Sequence, residues 1–495
     1  MTETTVPAGS AAAAAPPAAD LSKGDIRIIV IGVMLAMLLS AMDQTIVATA
    51  LPTIGTDLND VANVPWVVTA YLLTATAVTP LYGKLADIVG RRTTMLTAII
   101  IFLVGSVLCA MAPTLWMLVV ARLIQGLGGG ALIALAQTIV ADIIPARERM
   151  KYQAYFATVF VTSSIAGPVL GGLFAEHLHW SLIFWINVPL GLLAYFMTNN
   201  VLRRLPRHER PHKLDVLGAV LMVVATVTVL LALSWGGGVY AWGSPEVLGL
   251  FAASVVAWVL FFWRMRTAAE PFVPLSVMFD RVVATGTFAN FFVMGSMVAM
   301  SIYLPIYFET VAGLTAGESG LALIAFMGGT VTGAQVGGRV MAWSPHYKRA
   351  PIVGLVFSFL ALAWLAIGAG SQPLWMVEVL LLVTGLGIGT VFPITTVAVQ
   401  NAVEPRRLGT ATANFNFFRS LGGAFFVAGF GALLLGLLGV SGQQVGSLDA
   451  LVADAGAKGI AIGPVFAWIF GAAAACIAVG YGFILAMPER PLRGR

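Results

Sequence analysis

The sequence predicts an all-α membrane protein with fourteen transmembrane helices. Three observations carry that prediction. Hydrophobic residues make up 59% of the 495 and charged residues only 10%, with a mean hydropathy of +0.93. Soluble domains are about 45–50% apolar and about 25% charged. A water-soluble enzyme is therefore excluded, because so sparsely charged a surface would aggregate. The apolar residues also lie in long continuous runs, each near the roughly 20 residues a helix needs to cross a bilayer. They do not show the ten-residue alternations of a β-barrel. Finally, the basic residues collect on one side of those runs.

In order, the runs are 26–50, 64–86, 93–112, 115–141, 153–175, 180–202, 214–235, 245–266, 282–310, 317–341, 350–369, 373–402, 408–436 and 461–486. The first follows an Ala- and Pro-rich stretch, 1–22, that has no Lys, Arg or signal-type apolar core. That stretch is expected to be a disordered tail. Lys23 and Arg27 stand in front of the first run, which is expected to remain as the first span. With the N-terminus inside, odd-numbered spans run outward. All but three of the 27 Lys and Arg then fall on the inner side. Arg122 and Arg419 lie within spans, and Lys458 lies in an outer loop. This is the positive-inside rule. It supports the orientation and the even count together, because losing one helix would invert every later loop. Both termini are expected in the cytoplasm, in a cell (inner or plasma) membrane.

The net charge of +5 therefore reports topology, and nucleic acid is not an expected partner. Cys109 and Cys476 each lie inside an apolar run, so no disulfide framework or Cys-based metal site follows. The five His, at 177, 179, 208, 212 and 346, lie near helix ends or in loops and suggest no metal site. There is no phosphate-binding G-x-x-x-x-G-K-[ST] loop and no nucleophile–base arrangement. No cofactor and no enzymatic activity are expected.

The chain also repeats itself. Gln125-Gly-Leu-Gly-Gly-Gly130 recurs as Thr384-Gly-Leu-Gly-Ile-Gly389, at an offset of about 259 residues. Each copy sits in a long inward-running span. Each span is followed by a short loop with Pro and Arg, Pro145-Ala-Arg-Glu-Arg149 and Pro405-Arg-Arg407. Parallel halves of this kind are a transporter architecture. The expected organisation is a tail at 1–22, a six-helix bundle at 23–202, a linker with two extra spans at 203–281, a second six-helix bundle at 282–486, and a cytoplasmic tail at 487–495.

Five motifs, in order on the right spans, resemble the major facilitator superfamily. Gly83-Lys-Leu-Ala-Asp87-Ile-Val-Gly90-Arg91-Arg92 resembles its loop signature, and Leu118-Val-Val-Ala-Arg122-Leu-Ile-Gln125-Gly126 its fourth-span signature. Ala166-Gly167-Pro168-Val-Leu-Gly171-Gly172 resembles the fifth-span signature of antiporters. Met42-Asp43-Gln44-Thr45-Ile-Val-Ala-Thr-Ala-Leu51-Pro52 resembles the first span of the fourteen-span drug:proton antiporters of QacA/EmrB type. Trp180-Ser-Leu-Ile-Phe-Trp185-Ile-Asn187-Val-Pro189 closes the first half as in that family. The resemblance implies two six-helix bundles, with two inserted helices, alternating around a central cavity. It implies proton-driven export of lipophilic, often cationic, drugs or toxic amphiphiles. An exporter of a lipid, an antibiotic or a metabolite on the same fold is the alternative. The expected partners are the lipophilic substrate, protons and membrane lipids, with a periplasmic adaptor where the cell has an outer membrane.

The residues themselves suggest roles. Ionisable groups inside a span are costly and are functional candidates. Asp43 and Arg122 each lie about seven residues from the outer ends of their spans, about 10 Å deep at a 1.5 Å rise. They are expected to couple transport to protons, with Arg122 tuning Asp43. Asp87, Arg91 and Arg92, with Gly83 and Gly90, are expected to hold an inner gate. Gly167, Pro168, Gly171 and Gly172 are expected to pack a conformationally sensitive helix. Gln44, Tyr71, Gln125, Phe291, Tyr303, Tyr307, Asn414, Phe418 and Arg419 are expected to line the substrate cavity, and Glu309 and Glu378 an outer vestibule. No acid lies at mid-depth in the second half, which argues against dications as cargo.

Overall fold

The computed structural model describes residues 23–203, 215–237, 239–344, 346–438 and 462–492. In hydrocarbon every backbone polar group must find its partner within the protein, and the apolar runs do so as helices. They are α1 (Lys23–Asp57), α2 (Pro65–Val89), α3 (Arg91–Ala110), α4 (Leu115–Ile143), α5 (Ala146–His177), α6 (Leu182–Trp185) and α7 (Asn187–Leu202). Then come α8 (Val216–Trp235), α9 (Pro245–Thr267), α10 (Leu275–Met278), α11 (Arg281–Thr310) and α12 (Ala316–Trp343). Last are α13 (Arg349–Ile367), α14 (Leu374–Ala402), α15 (Leu408–Leu437) and α16 (Ile462–Ala486). Side-chain caps fix several starts. Thr114 accepts from the Met117 N–H, Asp280 from Val282 and Val283, and Thr315 forms a reciprocal capping box with Glu318.

Among the described residues, thirteen helices are long and apolar enough to cross a membrane. The expected fourteenth is α2, whose four threonines, Lys84 and Asp87 make it less apolar. The sixth expected run is divided. It breaks at Ile186 between α6 and α7. Pro189, in the first turn of α7, has no N–H to give to residue 185. The tail 1–22, the basic loop with Arg204, Arg207, Arg210, Lys213, His208 and His212, and Lys458, Arg493 and Arg495 lie outside the described residues.

The helices pack as two similar sets. In the first, α2 and α3 lie against α4, and α1 lies against α5. In the second, α12 and α13 lie against α14, and α11 lies against α15. The repeated glycines occupy these crossings. A Cβ at Gly128 would collide with the backbone of Ala98 and Phe102 on α3, and one at Gly387 with Gly354 on α13. Small residues thus bring the helix backbones together. The inserted α8 and α9 pack on each other, and α8 also touches α2 and α15. The insertion therefore covers a seam between the sets.

The two sets meet most firmly at the end that carries Arg91, Arg149, Arg406 and Arg407, here called the basic end. Asp87 bonds Gly409 and Thr410 there, and Gln137 bonds Asn416 deeper along the same seam. Apolar contacts reinforce it. Ala146 of α5 is buried among Met341, Ile394 and Val397, and Ala141 of α4 among Val399, Leu408 and Phe415. A collar closes the same end. Lys348 Nζ donates to the carbonyls of Leu485 and Met487, and Arg490 donates to Asp280. Partial burial lowers the Lys348 pKa from its ordinary value.

Two glycine substitutions test the close crossings. Gly128→Ala puts a methyl into the α3 backbone and should cost about 1–3 kcal/mol. Gly172 has nothing within 4 Å of its missing Cβ, so Gly172→Ala should leave stability unchanged or slightly raised. Thermal unfolding of the two purified variants measures the difference; equal melting would contradict the packing.

Candidate functional site

Asp43 on α1 and Arg122 on α4 are both fully buried. Arg122 Nη1 lies 2.5 Å from Asp43 Oδ2. The other carboxylate oxygen accepts from Gln125 Nε2 at 2.8 Å and from Asn187 Nδ2 at 3.3 Å. Ser106 of α3 accepts from the same two amides, at 2.7 and 3.2 Å. Arg122 has further partners. Its Nε donates to the Val67 carbonyl at 3.1 Å and its Nη1 to Gln125 Oε1 at 2.6 Å. The Tyr71 ring lies 4.2 Å below the guanidinium, and its hydroxyl bonds Ser40 at 3.0 Å.

The local sequence explains this assembly. Arg122 and Gln125 are three residues apart on α4, hence on one face. The break at Ile186 starts α7 at Asn187 and aims its amide at Asp43. A lone carboxylate at this depth would be prohibitive. One whose two oxygens accept from a guanidinium and two amides is tolerated, and removing either charge of such a pair typically costs about 3–5 kcal/mol.

A second cluster ties the bundles together at the basic end. Asp87, on the last turn of α2, accepts from the backbone N–H groups of Gly409 and Thr410 at 3.1 and 2.7 Å. It also accepts from the Thr410 hydroxyl at 2.7 Å. These N–H groups lie in the first turn of α15, which has no internal acceptors for them and carries the positive end of its dipole. Arg91 then bridges Asp87 at 2.5 Å and Asp142 of α4 at 2.7 Å. Gly90, with φ +101°, makes the turn that brings Arg91 back toward Asp87. Gly83 lets α2 touch Gly409 and Ala413.

Other expected residues fall elsewhere. Arg92 faces Asn199 of α7 and stays within its own bundle, so it takes no part in the contact between bundles. Gly167 and Gly171 pack on Thr45 and Thr49 of α1, but Gly172 faces open space and Pro168 is exposed. Tyr71 and Gln125 do not line an open cavity, because the ion pair engages both. Tyr303 and Tyr307 are buried in the core of the second bundle, the first bonded to the Val427 carbonyl and the second packed on Phe466 and Phe470. Phe291 packs against α15 beside Phe426. Asn414 and Phe418 face Trp258 and Met222 of the inserted helices. Gln44 is exposed and bonds the Ser40 carbonyl. Glu309 and Glu378 are half-buried and make no ion pair among the described residues. Arg419 lies between Phe160 of α5 and Phe392 of α14, at 5.7 and 5.2 Å.

Sequence reasoning missed Ser106, Asp142, Gln137, Asn416 and the role of Asn187. Asn187 stood in a motif that was visible, and Asp142 is an acid at the basic end of an otherwise apolar helix. The serine and the two amides carry no such signal.

The fold is that of a multi-pass helical membrane protein, and the family and relatives it matches are transporters, not enzymes. The chain belongs to the Major Facilitator Superfamily, whose pattern matches residues 33–427. It is 35% identical over 408 residues to "Multidrug resistance protein 3" of Bacillus subtilis (strain 168), covering 82% of this chain and 79% of that one. It is 33% identical over 434 residues to "Multidrug transporter protein MdtP" of the same organism, covering 86% and 79%. Among solved structures, a bacterial homologue of the iron transporter ferroportin, in an outward-facing state with soaked iron, superposes with a TM-score of 0.64. That match has 12% identity over 95% of this chain and 100% of the other, and it speaks to the fold alone.

The Asp87 cluster predicts a measurable change. In Asp87→Asn, the amide N–H₂ meets the α15 N–H groups and Arg91 keeps only Asp142. A cysteine at the buried Ala411, with Cys109 and Cys476 replaced, should then label with maleimide at least about fivefold faster, the effect of about 1 kcal/mol. Unchanged labelling would mean that Asp87 does not hold the basic end shut.

Proposed function

We propose that this chain is a fourteen-span, proton-driven exporter of lipophilic toxic compounds, of the drug:proton antiporter type. In this reading α2 is the fourteenth span and the basic end faces the cytoplasm, with both termini on that side. The described conformation is then closed toward the cytoplasm. The names of the relatives, a multidrug resistance protein and a multidrug transporter, support drug export. The one-sided placement of Lys and Arg supports the orientation.

The single observation that carries proton coupling is the fully buried Asp43 with its donors. A proton on Asp43 removes the charge opposite Arg122. Arg122 is not stranded by this, because Val67, Gln125 and the Tyr71 ring still hold it. The site can therefore exist in a charged-pair state and in a state with neutral Asp43. These differ in the bonds joining α1 to α4 and α7. That difference is what a proton needs in order to bias one conformation over another. Protons entering from outside load Asp43 as cargo leaves, and their release inward resets the pair.

The test uses purified protein in liposomes with an imposed pH gradient. A lipophilic cation such as ethidium and a lipophilic carboxylate are followed side by side. Wild type should move at least one of them in response to the gradient. Asp43→Asn, of the same shape but unable to titrate, should lose at least about tenfold in gradient-driven rate, in line with general acid–base contributions of 10² or more. Asp43→Glu should retain part of it. If folded Asp43→Asn transports as fast as wild type, Asp43 is not the proton carrier. If wild type moves neither probe, drug export itself is wrong.

A further inference from the structure

Arg419 sits near the middle of the 30-residue α15, eleven residues in from Leu408. Among the described residues it makes no ion pair and no side-chain hydrogen bond. Two rings lie against it, Phe160 from the first bundle and Phe392 from the second. All three side chains are only partly buried, although each lies at mid-depth between the bundles. Arg419 thus lies where the two bundles meet, against one ring from each.

The amides one turn away have unfilled bonds too. Asn416 is three residues before Arg419 on α15, hence on the same face. It donates to Gln137 Oε1 at 2.8 Å, while Gln137 Nε2 and Asn416 Oδ1, both buried, have no partner. The pair thus leaves one N–H₂ donor and one carbonyl acceptor unfilled, one turn of α15 from a guanidinium without an acid. Charge points the same way. Asp43 and Arg122 cancel each other, so Arg419 leaves the mid-depth interior with a net positive charge. Native proteins do not normally leave such a charge unpaired in a bilayer unless it has a function.

We infer that Arg419 is the anion-binding residue of the cargo site, and that the transporter takes amphiphiles with a single anionic head and an apolar body. This deepens the exporter reading above and rests on it. The guanidinium holds a carboxylate, or a similar oxyanion, through paired N–H donors. Phe160 and Phe392 flank the apolar body. The Gln137–Asn416 amides form the floor toward the basic end. A permanently cationic cargo would meet the Arg419 charge with no carboxylate free to answer it, since Asp43 is enclosed by its own donors. The preference is opposite to the lipophilic cations that the family resemblance implied.

Binding is measured without any gradient, so the result does not depend on proton coupling. Purified protein in neutral detergent is titrated with pyrenebutyrate, and separately with pyrenebutyl-trimethylammonium, which has the same apolar body and the opposite charge. Wild type is expected to bind the carboxylate at least about tenfold more tightly. Arg419→Gln, which keeps length and polarity, should lose that preference. Arg419→Lys should keep part of it, as a point charge without the planar fork. Melting temperatures within 2 °C of wild type, roughly the scale of a small stability change in a chain this size, exclude misfolding as the cause. Competition with short-chain phosphatidylglycerol separates the two sources of such an anion: displacement at equal affinity assigns the site to anionic lipid, and weak displacement assigns it to cargo. A wild type that binds the ammonium probe more tightly, or an Arg419→Gln that binds the carboxylate unchanged, overturns the inference. Gradient-driven ethidium transport surviving beside either result would leave the exporter reading standing and only the cargo class wrong.

Discussion

The architecture of the first bundle turns on one pair of charges kept out of water. Asp43 and Arg122 are tolerable in hydrocarbon only because five helices bring partners to them. Asp43 comes from α1, Val67 and Tyr71 from α2, Ser106 from α3, Arg122 and Gln125 from α4, and Asn187 from the start of α7. Each partner must arrive within hydrogen-bond distance, so each helix has a fixed rotation and depth. Close crossings at Gly105 against Gln125, and at Gly126 and Gly129 against Tyr71, set that spacing. A buried pair adds little net stability compared with an apolar replacement. Its presence here is better explained by what it can do than by what it stabilises.

The basic-end contact obeys a different logic. Asp87 answers free N–H groups and the dipole of α15, and Arg91 spreads its charge between two acids. The groups are partly exposed, so water can replace each bond when the bundles separate. The mid-depth pair cannot be hydrated in that way. One cluster is therefore open to exchange with water, and the other is held in a dry interior. They lie at opposite ends of α4, with Arg122 in its first half and Asp142 at its end. A rigid α4 thus runs from one cluster to the other.

Much of this was legible in the sequence, for a physical reason. Charge inside an apolar run is rare because it is costly, so Asp43, Arg122 and Arg419 stood out without any structure. Glycines at helical spacing marked the crossings, and the loop with Asp87 and Arg91 marked a contact between helices. Neutral polar residues gave no such signal. Ser106, Gln137 and Asn416 cost little in a span and look like ordinary helix packing until a partner is seen. Aromatics misled for the same reason. A Tyr can line a cavity or fill a core, and only the packing of Phe466 and Phe470 decides that Tyr307 fills one. The break at Ile186 was hidden because the run remains apolar across it.

The two mid-depth arginines sharpen the difference between structure and function. Both are planar cations near aromatic rings, Arg122 inside the first bundle and Arg419 between the two. Arg122 has a carboxylate, a carbonyl, an amide oxygen and a ring, so its neighbourhood is complete. Among the described residues, Arg419 has rings alone. If both were structural, the second half would have supplied an acid for Arg419, as the first half did for Arg122. The repeat does not supply one: the position matching Arg122 is Leu381, and the acids of α14 and α15 are limited to Glu378 near the far end. The pseudo-symmetric halves have therefore diverged in charge while keeping their packing. One half holds a balanced pair that a proton can unbalance. The other holds an unbalanced charge that a ligand can balance. In the exporter we propose, the proton acts on the surroundings of the first arginine and the cargo neutralises the second.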